Sequence, residues 1–386
     1  MKRVLVISET VVLPVERGNR RRVYNLIEMM RRAGCEVDYL YLQTYDNEDP
    51  EETKVWIGED HFFVCRNKKR SFPVFVKRKF RKLMELTHCQ IALKYFSLDE
   101  RITPDIDDFM RDFLKEHHYD ILWAEYMYNS RPLLSAPEGC KRVLDTHNVF
   151  SFKRQMYEAV GYYDYEFALK KETEAEGLGR ADTVVAIQEE EAEFFRSIAP
   201  EGVKVVTIGE NMPACEPFVA DTKDILFLGS FYVVNRQGLK DFIDNILPLI
   251  KKKCPEAKLK IAGTICRHIQ ESPDYELLGI VDDVSEQYRS ARVVINPVNY
   301  GTGLNIKSIE ALSHGRPLVS HSVGVRGLRS DPPVALVADE PEAFADAVVS
   351  VLENEEQARS LSENACRFMK EYREKNLAAL QSILED

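Results

Sequence analysis

Several features that would place this chain in a familiar class are missing from its 386 residues. The eight cysteines are scattered and form no Cys-x-x-Cys pair, which excludes the usual zinc and thiol-exchange motifs. No apolar run approaches the roughly eighteen residues needed to cross a bilayer. The N-terminus, MKRVLVISET, has too short an apolar run for a signal peptide. We therefore expect a reduced, cytoplasmic protein.

Positive charge is also scarce, since 52 Lys and Arg residues against 63 Asp and Glu residues give a net charge of −11. A nucleic-acid partner is not expected, because binding a phosphate backbone needs a basic face. The first apolar strand leads into SETVVLPVERGN, which lacks a G-x-G-x-x-G turn and so disfavours a nicotinamide-dependent oxidoreductase. The 45% hydrophobic content indicates a globular protein with a sizeable core.

Short apolar runs alternate with helical patterns in both halves of the chain. The first half opens with a pattern that predicts a βαβ unit: an apolar run from Val4 to Ile7, a helical pattern that ends at Gly34, and a second apolar run from Val37 to Leu42. The second half repeats this alternation, which predicts an α/β fold of two Rossmann-like, doubly wound domains with a cleft at the carboxyl ends of their strands. The expected parts are an N-terminal domain over 1–212, a C-terminal domain over 213–365, and a C-terminal helix over 366–386 that packs back toward the N-terminal domain.

The most informative stretch is Asn296 to Ser320, NPVNYGTGLNIKSIEALSHGRPLVS. Gly301 and Gly303 let the backbone turn tightly before a helix whose free N–H groups can bind phosphate. Lys307 begins that helix and could neutralise a diphosphate, while Glu310, three residues later, could accept hydrogen bonds from sugar hydroxyls. Taken alone, Lys307 and Glu310 are more typical of an i,i+3 surface ion pair, but the glycines before the helix and the strands on either side favour phosphate binding.

These residues resemble the donor-binding motif of retaining family 4 glycosyltransferases (glycosyl transferases group 1) with the GT-B fold, in the subset that reads G-x-G-x-x-x-K-x-x-E-A. Many relatives carry another glutamate eight positions before Glu310, where this chain has Thr302. Further matches follow in order along most of the chain: Gly18-Asn19, Asp145-Thr146-His147-Asn148, Phe227-Leu228-Gly229-Ser230 with Asn235 and Gly238, Ala262-Gly263, and Gly279 to Asp283.

The resemblance implies a GT-B protein with C-terminal helices and a nucleotide-sugar donor linked to UDP or GDP. Lys307 and then Arg236 would bind the diphosphate, Gly18 would close over it, and Glu310 would bind the ribose. The base would lie against the backbone near Val281. The full donor-binding set is Gly18, Asn19, Gly229, Ser230, Asn235, Arg236, Gly263, Val281, Asp282, Gly301, Thr302, Gly303, Leu304, Asn305, Lys307 and Glu310.

Polar residues at strand ends supply the candidates for catalysis, together with Lys307 and Glu310. His147 follows the strand 142–144, where α/β proteins collect ligands, although a structural role is about as plausible. The matching histidine in relatives touches the donor sugar, so we expect His147 to position that sugar and stabilise the transition state. Asp145 and Glu125 could serve as a base for the acceptor hydroxyl or could simply make hydrogen bonds.

The resemblance implies retention through front-face substitution at an oxocarbenium-like centre, without a carboxylate nucleophile. Asp105-x-Asp107 and Asp282-Asp283 could suggest a metal, but acidic helix caps explain them better. We therefore expect no metal site and no obligatory cofactor.

A basic segment, residues 66–82, carries nine cations interleaved with large apolar residues. Such a run is usually a solvated face, but it would also suit an anionic membrane carrying a lipid-linked acceptor, and RNA is a less supported possibility. If it binds lipid, the protein would work at the inner face of the plasma membrane.

The expected function is therefore hexosyl transfer to a lipid-linked or glycan acceptor in polysaccharide or glycoconjugate biosynthesis. A nucleotide-sugar epimerase of the same fold and a non-catalytic nucleotide-sugar-binding scaffold are the alternatives.

Overall fold

The computed structural model describes residues 1–15, 18–43, 48–66, 97–99, 102, 105–153, 168–213, 216–281, 283–301 and 303–385. The chain divides into two compact units. Unit 1 comprises Met1–Asn211 and Asn376–Asp386, and unit 2 comprises Met212–Lys375. The described residues do not include three features of the sequence analysis, namely residues 67–82 of the basic segment, Asp282 and Thr302.

Unit 1 is built on a parallel sheet with the strand order β3-β2-β1-β4-β5-β6-β7. Its strands are β1 (Arg3–Ser8), β2 (Glu36–Gln43), β3 (Phe62–Arg66), β4 (Ile121–Glu125), β5 (Lys141–Asp145), β6 (Thr183–Ala186) and β7 (Lys204–Thr207). Its described helices include α1 (Gly18–Arg32), α2 (Glu51–Ile57), α3 (Asp105–Glu116), α4 (Lys171–Leu178) and α5 (Glu189–Ile198). This doubly wound order reverses between β1 and β4, where such folds bind ligands.

The first strand shows why this sheet is covered on both faces. Successive side chains of a strand point to opposite faces, so Val4 and Val6 pack in one apolar cluster and Leu5 and Ile7 in another. The first cluster also contains α1, which ends at Gly34 with φ 84°. Glycine suits that left-handed position at a helix end and lets the chain return into β2.

Unit 2 repeats the same arrangement, with the parallel strand order β10-β9-β8-β11-β12-β13. Its strands are β8 (Asp224–Leu228), β9 (Lys258–Ala262), β10 (Tyr275–Gly279), β11 (Val293–Asn296), β12 (Leu318–Ser320) and β13 (Leu336–Val337). Its described helices include α6 (Val233–Asp241), α7 (Leu247–Lys253), α8 (Val284–Ser290), α9 (Ile306–Ser313), α10 (Pro341–Glu353) and the first part of α11 (Glu355–Glu385). The strand order reverses between β8 and β11.

Helix α11 is continuous from Glu355, whereas the sequence suggested a separate helix over 366–386. Its residues from Asn376 onward belong to unit 1, where Leu380 packs in the same apolar cluster as β1. Lys141 Nζ donates a hydrogen bond to the carbonyl oxygen of Ile383 at 2.8 Å, which adds a polar contact to this packing. Within the described part of the chain, no helix is both long enough and apolar enough to cross a membrane.

Candidate active site

Two glycines in the loop between β11 and α9 have the backbone torsions expected of a phosphate-binding site. Gly301 and Gly303 have φ values of 152° and 78°, which a residue with a side chain rarely adopts. Leu304 is buried, and Asn305 directly precedes α9 and donates a side-chain hydrogen bond to the Val323 carbonyl oxygen at 3.1 Å. These contacts fix the start of α9, whose first N–H groups are available to an anion.

Lys307 is held at this helix start by a residue from α6. Its Nζ donates a hydrogen bond to Asn235 Oδ1 and lies 4.7 Å from the centre of the Phe227 ring. Asn235 in turn donates from Nδ2 to the Ser230 carbonyl oxygen at 3.0 Å. Burial lowers the pKa of Lys307 to about 7, because a charged amine loses its hydration there. An incoming anion would restore the charge.

Glu310 lies one turn deeper on the same helix and is buried. Tyr288, on α8, donates its hydroxyl proton to Glu310 Oε2 at 3.0 Å and stacks on His314. Lys307 and Glu310 thus reach partners on different helices, which disfavours the interpretation of the two as a solvated surface ion pair.

Gly263 brings two loops of this edge into backbone contact. It has φ 103°, and a Cβ placed on it would lie 2.3 Å from the carbonyl oxygen of Gly229. The Gly229 N–H in turn donates to the Ala262 carbonyl oxygen at 3.0 Å. Gly263 is therefore required by the close approach of the loops after β8 and β9, whereas a Cβ on Gly229 would instead meet the Phe227 ring at 2.9 Å.

We expect Gly263→Ala to lower the free energy of unfolding by more than about 3 kcal/mol, since left-handed strain adds to a backbone clash. Gly279→Ala is the matched control, because Gly279 has φ 71° but nothing within 4 Å of its Cβ position. Gly279→Ala should lower the free energy of unfolding only by the cost of the left-handed conformation, about 1–2 kcal/mol. Urea titration of both variants measures the difference, and equal losses would contradict the close approach.

Arg236 does not join Lys307, although the sequence suggested a second cation for the diphosphate. Its guanidinium carbon lies 4.9 Å from the centre of the exposed Phe231 ring, which stacks on His268. The physical reason is helical register: Asn235 is on the buried face of α6, and Arg236 is turned to the exposed face. Asn235 therefore takes the position beside Lys307.

The loop after β10 contains Val281, which is part-buried. Asp283 precedes α8 and accepts a hydrogen bond from the Ser285 N–H at 2.8 Å. This confirms the interpretation of Asp283 as an acidic helix cap. Asp107, in the first turn of α3, makes a two-point contact with Arg131.

In unit 1, acidic residues end two neighbouring strands near the point where the strand order reverses. Glu125 and Asp145 are the last residues of β4 and β5 and lie opposite each other in the sheet. His147 Nε2 lies 2.6 Å from Glu125 Oε2 and 3.5 Å from Asp145 Oδ2. All three side chains are buried. The structure thus brings together the three residues that the sequence predicted at strand ends.

Arg22, which the sequence analysis did not identify, balances this charge from α1. Its Nε and Nη2 donate to the two oxygens of Asp145 at 2.6 and 2.7 Å, and Nη2 also reaches the Ile208 carbonyl oxygen at 3.0 Å. Burial alone would lower the pKa of Arg22, but its contact with Asp145 more than offsets this and leaves the pKa raised. Burial, reinforced by the Asp145 charge, raises the pKa of Glu125.

Both predicted acceptor bases are therefore occupied. Asp145 is fully buried and paired with Arg22, while Glu125 accepts from Trp123 Nε1 at 2.9 Å and contacts His147. Each of their carboxylate oxygens lies within hydrogen-bond distance of a protein side chain, so these contacts support a positioning role for both residues. The three residues Glu125, Asp145 and His147 are close enough together to ligate a metal.

Backbone strain marks the same place. Among the described residues other than glycine, Tyr126 and His147 have positive φ, at 72° and 60°. Their rings stack with centres 3.8 Å apart, and the Asn148 N–H closes a tight turn on the Thr146 carbonyl oxygen. Strained residues of this kind concentrate at functional sites. The predicted pair Gly18 and Asn19 begins α1, and the Asn19 side chain hydrogen-bonds Tyr126.

Comparisons with known proteins agree with the resemblance in the sequence. Residues 222–354 match the family model Glycosyl transferases group 1. The chain is 22% identical over 399 residues to an uncharacterized 44.6 kDa protein in the cps region of Klebsiella pneumoniae, with 96% of each chain covered. It is also 22% identical over 380 residues to the poly(glycerol-phosphate) alpha-glucosyltransferase of Bacillus subtilis, covering 91% of this chain and 51% of that protein.

Solved structures share the fold along the whole chain. Sucrose-phosphate synthase from Thermosynechococcus elongatus aligns with a TM-score of 0.70 at 15% identity, covering 100% of this chain and 98% of that one. TarM gives 0.69 at 12% identity, with 100% and 99% covered. Anabaena HepE, in complex with UDP and glucose, gives 0.62 at 13% identity, with 99% of each covered. By this family match and this fold, the chain is a glycosyltransferase of the GT-B type whose second unit carries a glycosyl transferases group 1 domain.

Proposed function

We propose that the chain is a retaining hexosyltransferase that moves a sugar from a UDP- or GDP-linked donor to a glycan or lipid-linked acceptor. The observation that carries the proposal is the part-buried Lys307 at the start of α9, held by Asn235 behind two glycines in left-handed conformations. The HepE structure holds UDP and glucose, and the Bacillus relative is named for transfer to poly(glycerol-phosphate). With the Klebsiella relative in a cps region, this supports a cytoplasmic role in polysaccharide biosynthesis.

The proposed reaction depends on stabilising the leaving group. As the bond between the anomeric carbon and the diphosphate oxygen breaks, negative charge grows on the diphosphate. Lys307 and the first N–H groups of α9 supply positive charge where it develops. The acceptor hydroxyl attacks from the same face, and its proton passes to the departing phosphate oxygen. His147 supplies a polar contact to the sugar.

A thermal-shift screen with UDP, GDP and ADP tests the donor site. A ligand that binds only the folded protein stabilises it by about 2.7 kcal/mol at a concentration one hundred times its Kd. We expect one nucleotide to raise the melting temperature of the wild type and not of Lys307→Ala. If no nucleotide raises the melting temperature of the wild type, the proposed phosphate-binding site is wrong.

Nucleotide binding should also take up a proton. Free Lys307, with its pKa near 7, is mostly neutral at pH 8, and the diphosphate raises that pKa by stabilising the ammonium form. Affinity should therefore fall as pH rises above 7, by up to about tenfold per pH unit.

Calorimetry at pH 8 in buffers of different ionisation enthalpy measures the uptake, which should approach one proton per nucleotide. Lys307→Arg is the matched control, because its guanidinium keeps its proton at every pH used. Equal uptake by the wild type and Lys307→Arg would show that another group titrates.

A further inference from the structure

Two contacts within unit 1 hold the ring of His147 in place. His147 Nε2 lies 2.6 Å from Glu125 Oε2, and its ring is stacked on Tyr126 at 3.8 Å. The edge contact and the face contact together restrict rotation of the imidazole. With Nε2 engaged by Glu125, Nδ1 is the ring nitrogen left to meet a ligand.

The other oxygen of Glu125 is held by a tryptophan. Trp123 and Glu125 are two residues apart on β4, so their side chains project from the same face of the sheet. Trp123 Nε1 is a donor only, and it donates to Glu125 Oε1 at 2.9 Å. Glu125 therefore has one oxygen bound to an obligate donor and the other directed at His147.

Asp145 could compete for the same Nε2 proton, since its Oδ2 lies 3.5 Å away. Arg22 instead takes the short contacts with Asp145, donating to both of its oxygens at 2.6 and 2.7 Å. Among the described residues, the other ionisable groups that face the cluster include Glu210, which accepts from Asn25, and the more distant Glu9, Tyr39 and Tyr126. Among these neighbours, Glu125 makes the short contact with Nε2.

We propose that Glu125 and His147 form a dyad in which Nε2 carries the proton, so that Nδ1 presents a lone pair that accepts a hydrogen bond from a sugar hydroxyl. Trp123, Tyr126 and Arg22 are positioning residues for this dyad. A lone pair among buried carboxylates favours a ligand that donates a hydrogen bond, and it disfavours a uronic acid carboxylate at this position. The inference rests on the proposed function for the identity of the ligand as a sugar.

Glu125→Gln gives a sharp test because Trp123 dictates which way the amide turns. Trp123 Nε1 can only donate, so it keeps the amide oxygen, and the amide NH₂ then faces His147 Nε2. That nitrogen must become an acceptor, and the proton moves to Nδ1. The sugar hydroxyl then faces a donor instead of an acceptor, so we expect kcat to fall by about 10–100-fold, the loss typical of one unsatisfied buried hydrogen bond.

Nitrogen-15 NMR of selectively labelled histidine reads the tautomer directly, with the His147 signals assigned by their loss in His147→Asn. The wild type should show Nε2 protonated and Nδ1 unprotonated at pH 7.5, and Glu125→Gln should show the reverse. Adding Trp123→Phe to Glu125→Gln frees the amide to rotate, which should restore protonated Nε2 and raise kcat at least tenfold. Trp123→Phe alone controls for the lost indole.

The dyad is wrong if wild-type Nδ1 carries the proton, or if Glu125→Gln leaves the tautomer unchanged. It is also wrong if Trp123→Phe fails to restore the tautomer in the double variant while the protein remains folded. Because the NMR readout does not need turnover, it remains informative if no sugar is transferred. If the wild type and the variants show the expected tautomers but no sugar is transferred, the proposed function is wrong and the dyad is not.

Discussion

Lys307→Ala should reduce kcat/KM for the donor by about 10²–10³-fold, the loss typical of removing one preorganised group that stabilises developing charge. Lys307 is the cation that the structure places at the start of α9, and burial makes its contact with an anion stronger than one in open solvent. The hydrogen bond between the Lys307 ammonium and the diphosphate should also contribute to ground-state binding. In Lys307→Ala, the Kd for the nucleoside diphosphate should therefore rise by about 10–100-fold.

The same assays on Lys240→Ala provide the control, since Lys240 lies on α6 but is exposed and paired with Asp244. It should keep wild-type kinetics. If both variants lose activity equally, the effect is general destabilisation, and Lys307 has no special place in donor binding.

Arg22→Met should lower the free energy of unfolding of unit 1 by about 3–5 kcal/mol, because it leaves the Asp145 carboxylate buried without its partner. Urea unfolding followed by tryptophan fluorescence suits the measurement, since both tryptophans, Trp56 and Trp123, belong to unit 1. The double variant Arg22→Met, Asp145→Leu removes both charges and should recover most of the loss.

A second arginine–aspartate pair in the same sheet offers a matched comparison. Arg142 and Asp182 are joined by the same kind of two-point contact, but their side chains are 33% and 43% exposed. Arg142→Met should therefore cost no more than about 1 kcal/mol. Similar losses for Arg22→Met and Arg142→Met would show that the burial of the Arg22 pair has little energetic weight.

Local pattern was sufficient to predict the two α/β sheets and the helix with Lys307, because parallel strands are apolar throughout and glycines mark their ends. The register of α6 was harder. Its first turn contains Val233 and Val234, which are weak helix formers, so the sequence alone does not show that the helix begins before Arg236. Without that first turn, Arg236 could not be placed on the exposed face.

Arg22 was missed for a different reason. Its partner Asp145 lies 123 residues away, and no local pattern links the two. A signal was nevertheless present: Arg22 lies four positions before Leu26, on the apolar face of α1, where a charge needs a buried partner. The strained backbone of Tyr126 and His147 had no such signal, because those torsions depend on packing between strands β4 and β5.

The most direct test of the account is a proton-NMR time course of wild-type protein with UDP- and GDP-linked hexoses, with and without oligosaccharide or polyol-phosphate acceptors. Transferase activity predicts release of nucleoside diphosphate together with a new glycoside, or slow hydrolysis to the free sugar, in which the anomeric configuration of the donor is retained. A changed sugar still attached to its nucleotide would indicate an epimerase. Binding without consumption of any donor would contradict the transferase and favour a scaffold, the role that Thr302 in place of a glutamate also allows.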